Sequence, residues 1–328
     1  MLKYLFVKVF VFFSLISLVT SCSSDPGYIP APDTVAFGQN LSDYNIYQGN
    51  IVDLTPTADY HLIELSSSLF VNYAEKQRLI KLPAGTKITK VDNGIPNFPN
   101  GTILVKTFYY YKDKRKPSLG KKVIETRLLI KEADMWNVAT YVWNDAQTEA
   151  ILNLNGVSKN VSWIDANGNS KTVRYQVPTE QNCTTCHQKT STVAPLGPTL
   201  SNMNIEVTRN NTAINQLQHF QNAGLMDNFN HTQIPTLPDY FNPSYTISER
   251  GRAYFEMNCA HCHNPAGFPK AAKKGYDFRY TTPLSQTRIP SKKGKISGVI
   301  ASGEMPWIGT TTLDVEGYDV VKQYLNSL

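Results

Sequence analysis

Cys259-Ala260-His261-Cys262-His263 sets two thiols three residues apart and follows the second directly with an imidazole. On one turn of backbone both thiols reach the vinyl groups of a single porphyrin, and His263 then turns to the iron as the proximal ligand. The same grammar occurs earlier as Cys183-Thr184-Thr185-Cys186-His187. The competing reading is a zinc-binding or redox Cys-x-x-Cys pair, but neither chemistry calls for a His after the second Cys, and both copies have one. The spacing therefore predicts two covalent c-type haems, on Cys183 and Cys186 and on Cys259 and Cys262, with His187 and His263 as axial ligands.

Outward from the second motif, the pattern is helical. Ser248 is placed to cap a helix running through Glu249 to Met257 into the motif, and Asp314–Leu325 carries Val315, Tyr318, Val321, Tyr324 and Leu325 on a closing helix. Residues 246–328 are expected to form a small all-α domain. Between those helices, Met305-Pro306-Trp307-Ile308-Gly309 resembles the Met-Pro-x-x-Gly loop of class I cytochromes c, which implies Met305 as sixth ligand of the second haem. The competing reading is a packing Met in a loop. A thioether favours ferrous iron and raises the potential. In the same folds the first and last helices cross, and a small residue such as Gly251 permits close approach. Lys270, Lys273, Lys274, Lys292, Lys293 and Lys295 read either as a positive rim that steers an acidic redox partner or as solvated loop lysines.

Upstream of the first motif the pattern is β. Short apolar or alternating runs between about 58 and 178, among them 102–111, 123–131 and 136–143, are separated by Pro-Ala-Gly, Pro-Asn-Gly and Asn-Gly-Asn turns. They predict an antiparallel sandwich or a strongly curved sheet. The basic stretch Lys112–Lys122 reads as a solvated hairpin tip. The fold expected is α+β: a β-rich domain over 57–187 ending in the first motif, a connector over 188–245, then the helical domain. In the connector, Thr212–Ala223 is expected to be a helix with Thr212 as cap and Gly224 as stop. The sixth ligand of the first haem stays open between His219, Met203, Met135, His61 and a vacant position. His261 is expected to face away from the iron, and His231 has no assigned role.

The chain begins with Lys3 and Lys8 and an apolar run from Val9 to Val19, signal-peptide length and too short to span a bilayer. Val19-Thr20-Ser21-Cys22 resembles a bacterial lipobox, which implies cleavage after residue 21 and a diacylglycerol on Cys22; the competing reading is an ordinary signal with a chance Cys. Ser23 is compatible with outer-membrane sorting. Loss of the two lysines would lower the formal charge from +6 to +4. Residues 22–56, with Pro26, Pro30, Pro32 and Pro56, are expected to be a flexible tether with little core. With four of five Cys committed to the two motifs and the fifth at Cys22, no disulfide is expected. The location implied is the cell envelope, lipid-anchored, at the outer membrane facing the periplasm or the cell surface.

Phe98-Pro99-Asn100-Gly101-Thr102 followed by strands and a late motif is similar to cytochrome c′-β type haem domains, whose distal side is often open. More widely, the chain resembles a family of secreted bacterial dihaem c-type cytochromes, through Leu69-Phe70, Tyr73-Ala74-Glu75-Lys76, Leu82-Pro83-Ala84-Gly85, Glu125-Thr126-Arg127-Leu128-Leu129, Tyr141-Val142-Trp143-Asn144, Asn215-Gln216-Leu217 and Asn258 to Pro265. The resemblance implies two covalent haems and an electron-transfer setting. A redox protein such as a periplasmic dehydrogenase or another cytochrome is the expected partner, beside the membrane through the lipid; no nucleic-acid partner is expected. Relay of single electrons is the leading function. The alternatives are peroxide or nitrogen-oxide chemistry at an open first haem fed by the second, and a haem-based sensor or binding module.

Overall fold

The computed structural model describes residues 35–328; the expected signal peptide, Cys22 and the first part of the expected tether lie outside the described residues. The fold is α+β, an N-terminal antiparallel β region followed by a mainly helical C-terminal segment. Six strands pair in sequence order as a meander: β1 (His61–Leu62), β2 (Glu75–Lys81), β3 (Ile103–Tyr111), β4 (Lys121–Glu132), β5 (Met135–Trp143) and β6 (Ala150–Leu152). β7 (Val157–Ile164) and β8 (Ser170–Val177) form a separate hairpin. The basic stretch connects β3 to β4, and Asp113 anchors it by a two-point pair with Arg115. Ala133 and Asp134, both in the left-handed region, make the tight β4–β5 turn whose twist suits a hairpin.

Alternation gives the meander two faces. One carries Leu79, Val105, Leu128, Ala139 and Tyr141 into a core with Leu41, Ile46, Ile51 and Leu54. The flexible-tether expectation is thereby corrected for residues 35–56. Four apolar side chains, spaced too irregularly to read as a helix or strand, wrap this segment onto the sheet and are buried. Tyr47 Oη lies 2.6 Å from Thr107 Oγ1, and Leu152 donates its N–H to Gln39 O. The other face carries Ile80, Leu104, Leu129 and Val138 against the segment after β8.

That segment begins with α1 (Glu180–His187), capped by Thr179 in a reciprocal box with Asn182. A two-strand turn, β9 (Gln188–Lys189) and β10 (Thr192–Val193), and the short α2 (Leu200–Met203) follow. The helix expected from Thr212 starts later. Asn210 and Asn211, both at positive φ, turn a hairpin of β11 (Glu206–Arg209) and β12 (Thr212–Asn215), and α3 (Gln216–Asn222) is capped by Asn215. In the last segment α4 (Ile247–Phe255) is capped by Thr246, with Glu249 closing the box, rather than by Ser248. It runs into a π-helical turn, Glu256–Ala260, then α5 (Pro269–Ala272), α6 (Ile289–Ala301) and α7 (Val315–Asn326), the last capped by Asp314.

α4 and α7 cross in close contact. A Cβ on Gly251 would collide with the Tyr324 ring, and one on Gly317 would collide with the Tyr254 ring, so each helix supplies a notch for the other's aromatic. Asn72 ties this segment to the sheet by accepting from Thr311 N at 2.7 Å, and Asn258 Oδ1 accepts from Phe70 N at 2.8 Å. Among the described residues no helix is long and apolar enough to cross a membrane.

Candidate functional site

The second motif sits where α4 loosens into its π-helical turn, which carries Cys259 and presents Cys262 and His263 just beyond. All three line a cavity of about 360 Å³ between α4, α5, α6 and the loop before α7. Its wall is apolar, from Phe255, Phe278, Ile296, Val299 and Ile300, within the size range of cofactor sites. The ring of His263 packs against Phe278 and Tyr276, with centroids 5.3 and 5.7 Å away. Its Nδ1 is buried without a hydrogen-bond partner, so aromatic packing rather than a hydrogen bond orients this imidazole. Met305 lines the same cavity and is 38 % exposed, its thioether available to whatever fills the space. The structure thus brings Cys259, Cys262, His263 and Met305 to one cavity. His261, expected to face away, lines it as well, and its Nδ1 is buried and unpartnered. Three of the six lysines, Lys270, Lys274 and Lys295, stand at the cavity's edge, and Trp307 is exposed beside them.

The first motif ends α1, and α1 lies on the sheet. Thr140 Oγ1 of β5 is 3.8 Å from Cys183 Sγ. His187 Nδ1 is 2.8 Å from Ala194 O. A carbonyl only accepts, so Nδ1 carries the proton and Nε2 keeps its lone pair, the tautomer and support that metal-bound histidines use. Burial, with Lys106 next, holds His187 neutral, its pKa pushed down to about 3. His187 faces a narrow cleft of about 50 Å³ lined on the sheet side by Arg78, Lys106 and Arg127 among leucines. None of His61, Met135, Met203 and His219 lines that cleft. Met203 is fully buried in the core behind Cys183, and His219 stacks near Phe220 on α3.

No disulfide joins the four described cysteines. Burial pushes each thiol up, Cys259 to about 12 and Cys262 to about 11, and Cys183 and Cys186 likewise upward. Among the described residues no three His, Cys, Asp or Glu side chains converge as a metal-ion cluster. Two thiols, an imidazole and a thioether around one apolar cavity suit covalent haem at the second motif, whereas at the first only the imidazole of His187 reaches the cleft.

The two motifs are neighbours. Thr190 N–H, just after the first, donates to Ala266 O, just after the second, at 2.5 Å. After burial, the nearby Cys262 is the next cause of the rise at Cys186, and His261 contributes to the fall at His187. The sequence reading missed the cationic lining of the first cleft and the α6 wall of the second cavity. The cations were visible only as alternate residues on separate strands, and their meeting depends on register. No family model, curated protein or solved structure matches this chain.

Proposed function

We propose that this chain is a dihaem c-type cytochrome lipoprotein, held in the bacterial cell envelope through Cys22, that relays single electrons between a redox donor and an acceptor. The observation that carries the reading is the adjacency of two complete Cys-x-x-Cys-His sets, tied at 2.5 Å through Thr190 and Ala266, the second lining a cavity with both thiols and its histidine and the first turning His187 into a cleft. Haem, when bound, supplies one-electron chemistry at iron. Cys259, Cys262, His263 and Met305 would hold the second haem, and Phe255, Phe278 and the α6 aliphatics would give it an apolar wall. Cys183, Cys186 and His187 would hold the first, with Ala194 O fixing the histidine tautomer. The exposed lysines at the second cavity favour an acidic redox protein as partner.

A second reading is supported by the first cleft. Among the described residues no thioether or second imidazole lines it opposite His187, which favours an iron open to small ligands and therefore catalysis or sensing at that site. Relay predicts two one-electron waves in a spectroelectrochemical titration of the full matured chain, the higher from the His/Met site. A single one-electron wave would leave the relay without a second station and overturn it.

A further inference from the structure

Strand register places Arg78 of β2 beside Lys106 of β3, Lys106 beside Arg127 of β4, and Arg127 beside Thr140 of β5. Like charges directly opposed across a sheet destabilise it, so three cations in one lateral row need an explanation. Among the described residues only Arg127 has one. It pairs with the buried Glu125 at 2.5 Å, and Glu125 also accepts from Tyr175 Oη. Among the described residues, no ion pair joins Arg78 or Lys106 to a carboxylate. Arg78 donates to Ser68 Oγ at 2.5 Å while its Nε is buried without a partner. Lys106 has the ring face of Phe108, 5.7 Å from Nζ to the centroid. Both face the cleft that His187 enters. Two uncompensated cations in a half-buried cleft are costly unless anionic groups meet them.

The row has a second fixed point. At its β5 end, Thr140 touches Cys183, so the thioether edge of a haem on the first motif would lie there. From Thr140 to Arg78 is three strand spacings, about 14 Å. A haem carries its vinyl groups toward one edge and its two propionate carboxylates at the opposite edge. We propose that Arg78 and Lys106 form the propionate site of the first haem, so that its carboxylate edge is buried against β2 and β3 rather than turned to solvent. Two carboxylates meet two unpaired cations, and the Arg78 fork suits a carboxylate in particular. The inference rests on the reading of Cys183–His187 as a haem site.

The test uses the full chain matured with haem, as wild type and as Arg78→Gln, Lys106→Gln and Lys106→Arg. Intact mass and peptide mapping first establish haem on Cys183 and Cys186 in the wild type; its absence there would refute the underlying reading itself. With that haem in place, each Gln variant is expected to lower the potential of haem 1 and leave haem 2 unchanged, because an electron is then added beside uncompensated carboxylates. Lys106→Arg keeps the charge and is expected to keep the potential. Loss of haem 1 from the Gln variants with retention in Lys106→Arg supports the site equally. Unchanged potentials in both Gln variants would overturn it. So would carbon monoxide binding at haem 1 that appears only when Lys106 is replaced by either residue, which would make Lys106 an iron ligand. A wild-type haem 1 potential that shifts with added sulfate at constant ionic strength would show a free-anion site and overturn it too.

Discussion

The two Cys-x-x-Cys-His sets share a five-residue grammar and almost nothing else. The first closes an eight-residue helix laid on a β-sheet, and its cleft is faced by Arg78, Lys106 and Arg127. The second emerges from a π-helical turn, and its cavity is faced by aromatic and aliphatic side chains and a methionine. Their histidines differ in the same sense: His187 is held by a hydrogen bond to Ala194 O, His263 by ring packing alone. Under the proposed reading the motif would dictate attachment. The surroundings dictate what an attached group would experience: a charged, thioether-free environment in one case and an apolar one with a soft donor in the other.

The largest expected way to break this contrast is at the charged face. Glu125→Gln leaves Arg127 buried without its counter-charge and is expected to destabilise the chain by about 3–5 kcal/mol in denaturant unfolding. An unchanged midpoint would mean that the face is not held by this pair. Next is the helical side. Gly251→Ala drives a methyl group into Tyr324 at the α4–α7 crossing and should cost about 1–3 kcal/mol, with the loss in the helical segment first by hydrogen exchange. Uniform loss across the sheet as well would show that the two regions unfold as one.

Met305→Ala is expected to change stability little, since the side chain is partly exposed. Its effect falls on the second site: a lower haem 2 potential and newly acquired ligand binding there, read by absorption. Unchanged potentials would remove Met305 from the iron. The smallest effect is a pH slope. Burial, with Arg78 next, holds Lys76 down to about 7 against an ordinary 10.5. Between those values the unfolded chain binds more protons than the native one, so this residue makes stability rise with pH over that window. Below about 7 the lysine is charged in both states and the penalty is complete. Lys76→Met should flatten the slope between pH 7 and 10; an unaltered slope would place its origin elsewhere.

Much of this was legible in the residues, for identifiable reasons. The α+β order followed from alternation before residue 178 and helical spacing after 246. The α4–α7 contact was expected through the resemblance to cytochrome c folds, with Gly251 as the small residue that permits it; its reciprocal, Gly317 against Tyr254, was not. Helix α6 went unread because Lys292, Lys293, Gly294, Lys295 and Gly298 dilute an apolar face whose buried members are Ile289, Ile296 and Ile300. Residues 35–56 read as a tether because Leu41, Ile46, Ile51 and Leu54 follow no regular period; they are buried through turns instead. Thr212 looked like a cap because β-branched polar residues serve both caps and strands, and the Asn210-Asn211 turn decided for a strand. The Arg78–Lys106–Arg127 row exists only once register is set, which no local pattern specifies.

The central claim is that the chain carries two covalent haems of unlike coordination. The direct test is one absorption experiment on the matured protein: count covalent haem per chain, reduce with dithionite, and add carbon monoxide. The account predicts two haems, of which one binds carbon monoxide and the other does not. Fewer than two haems would contradict the attachment sites, and an identical response from both would contradict the difference between them.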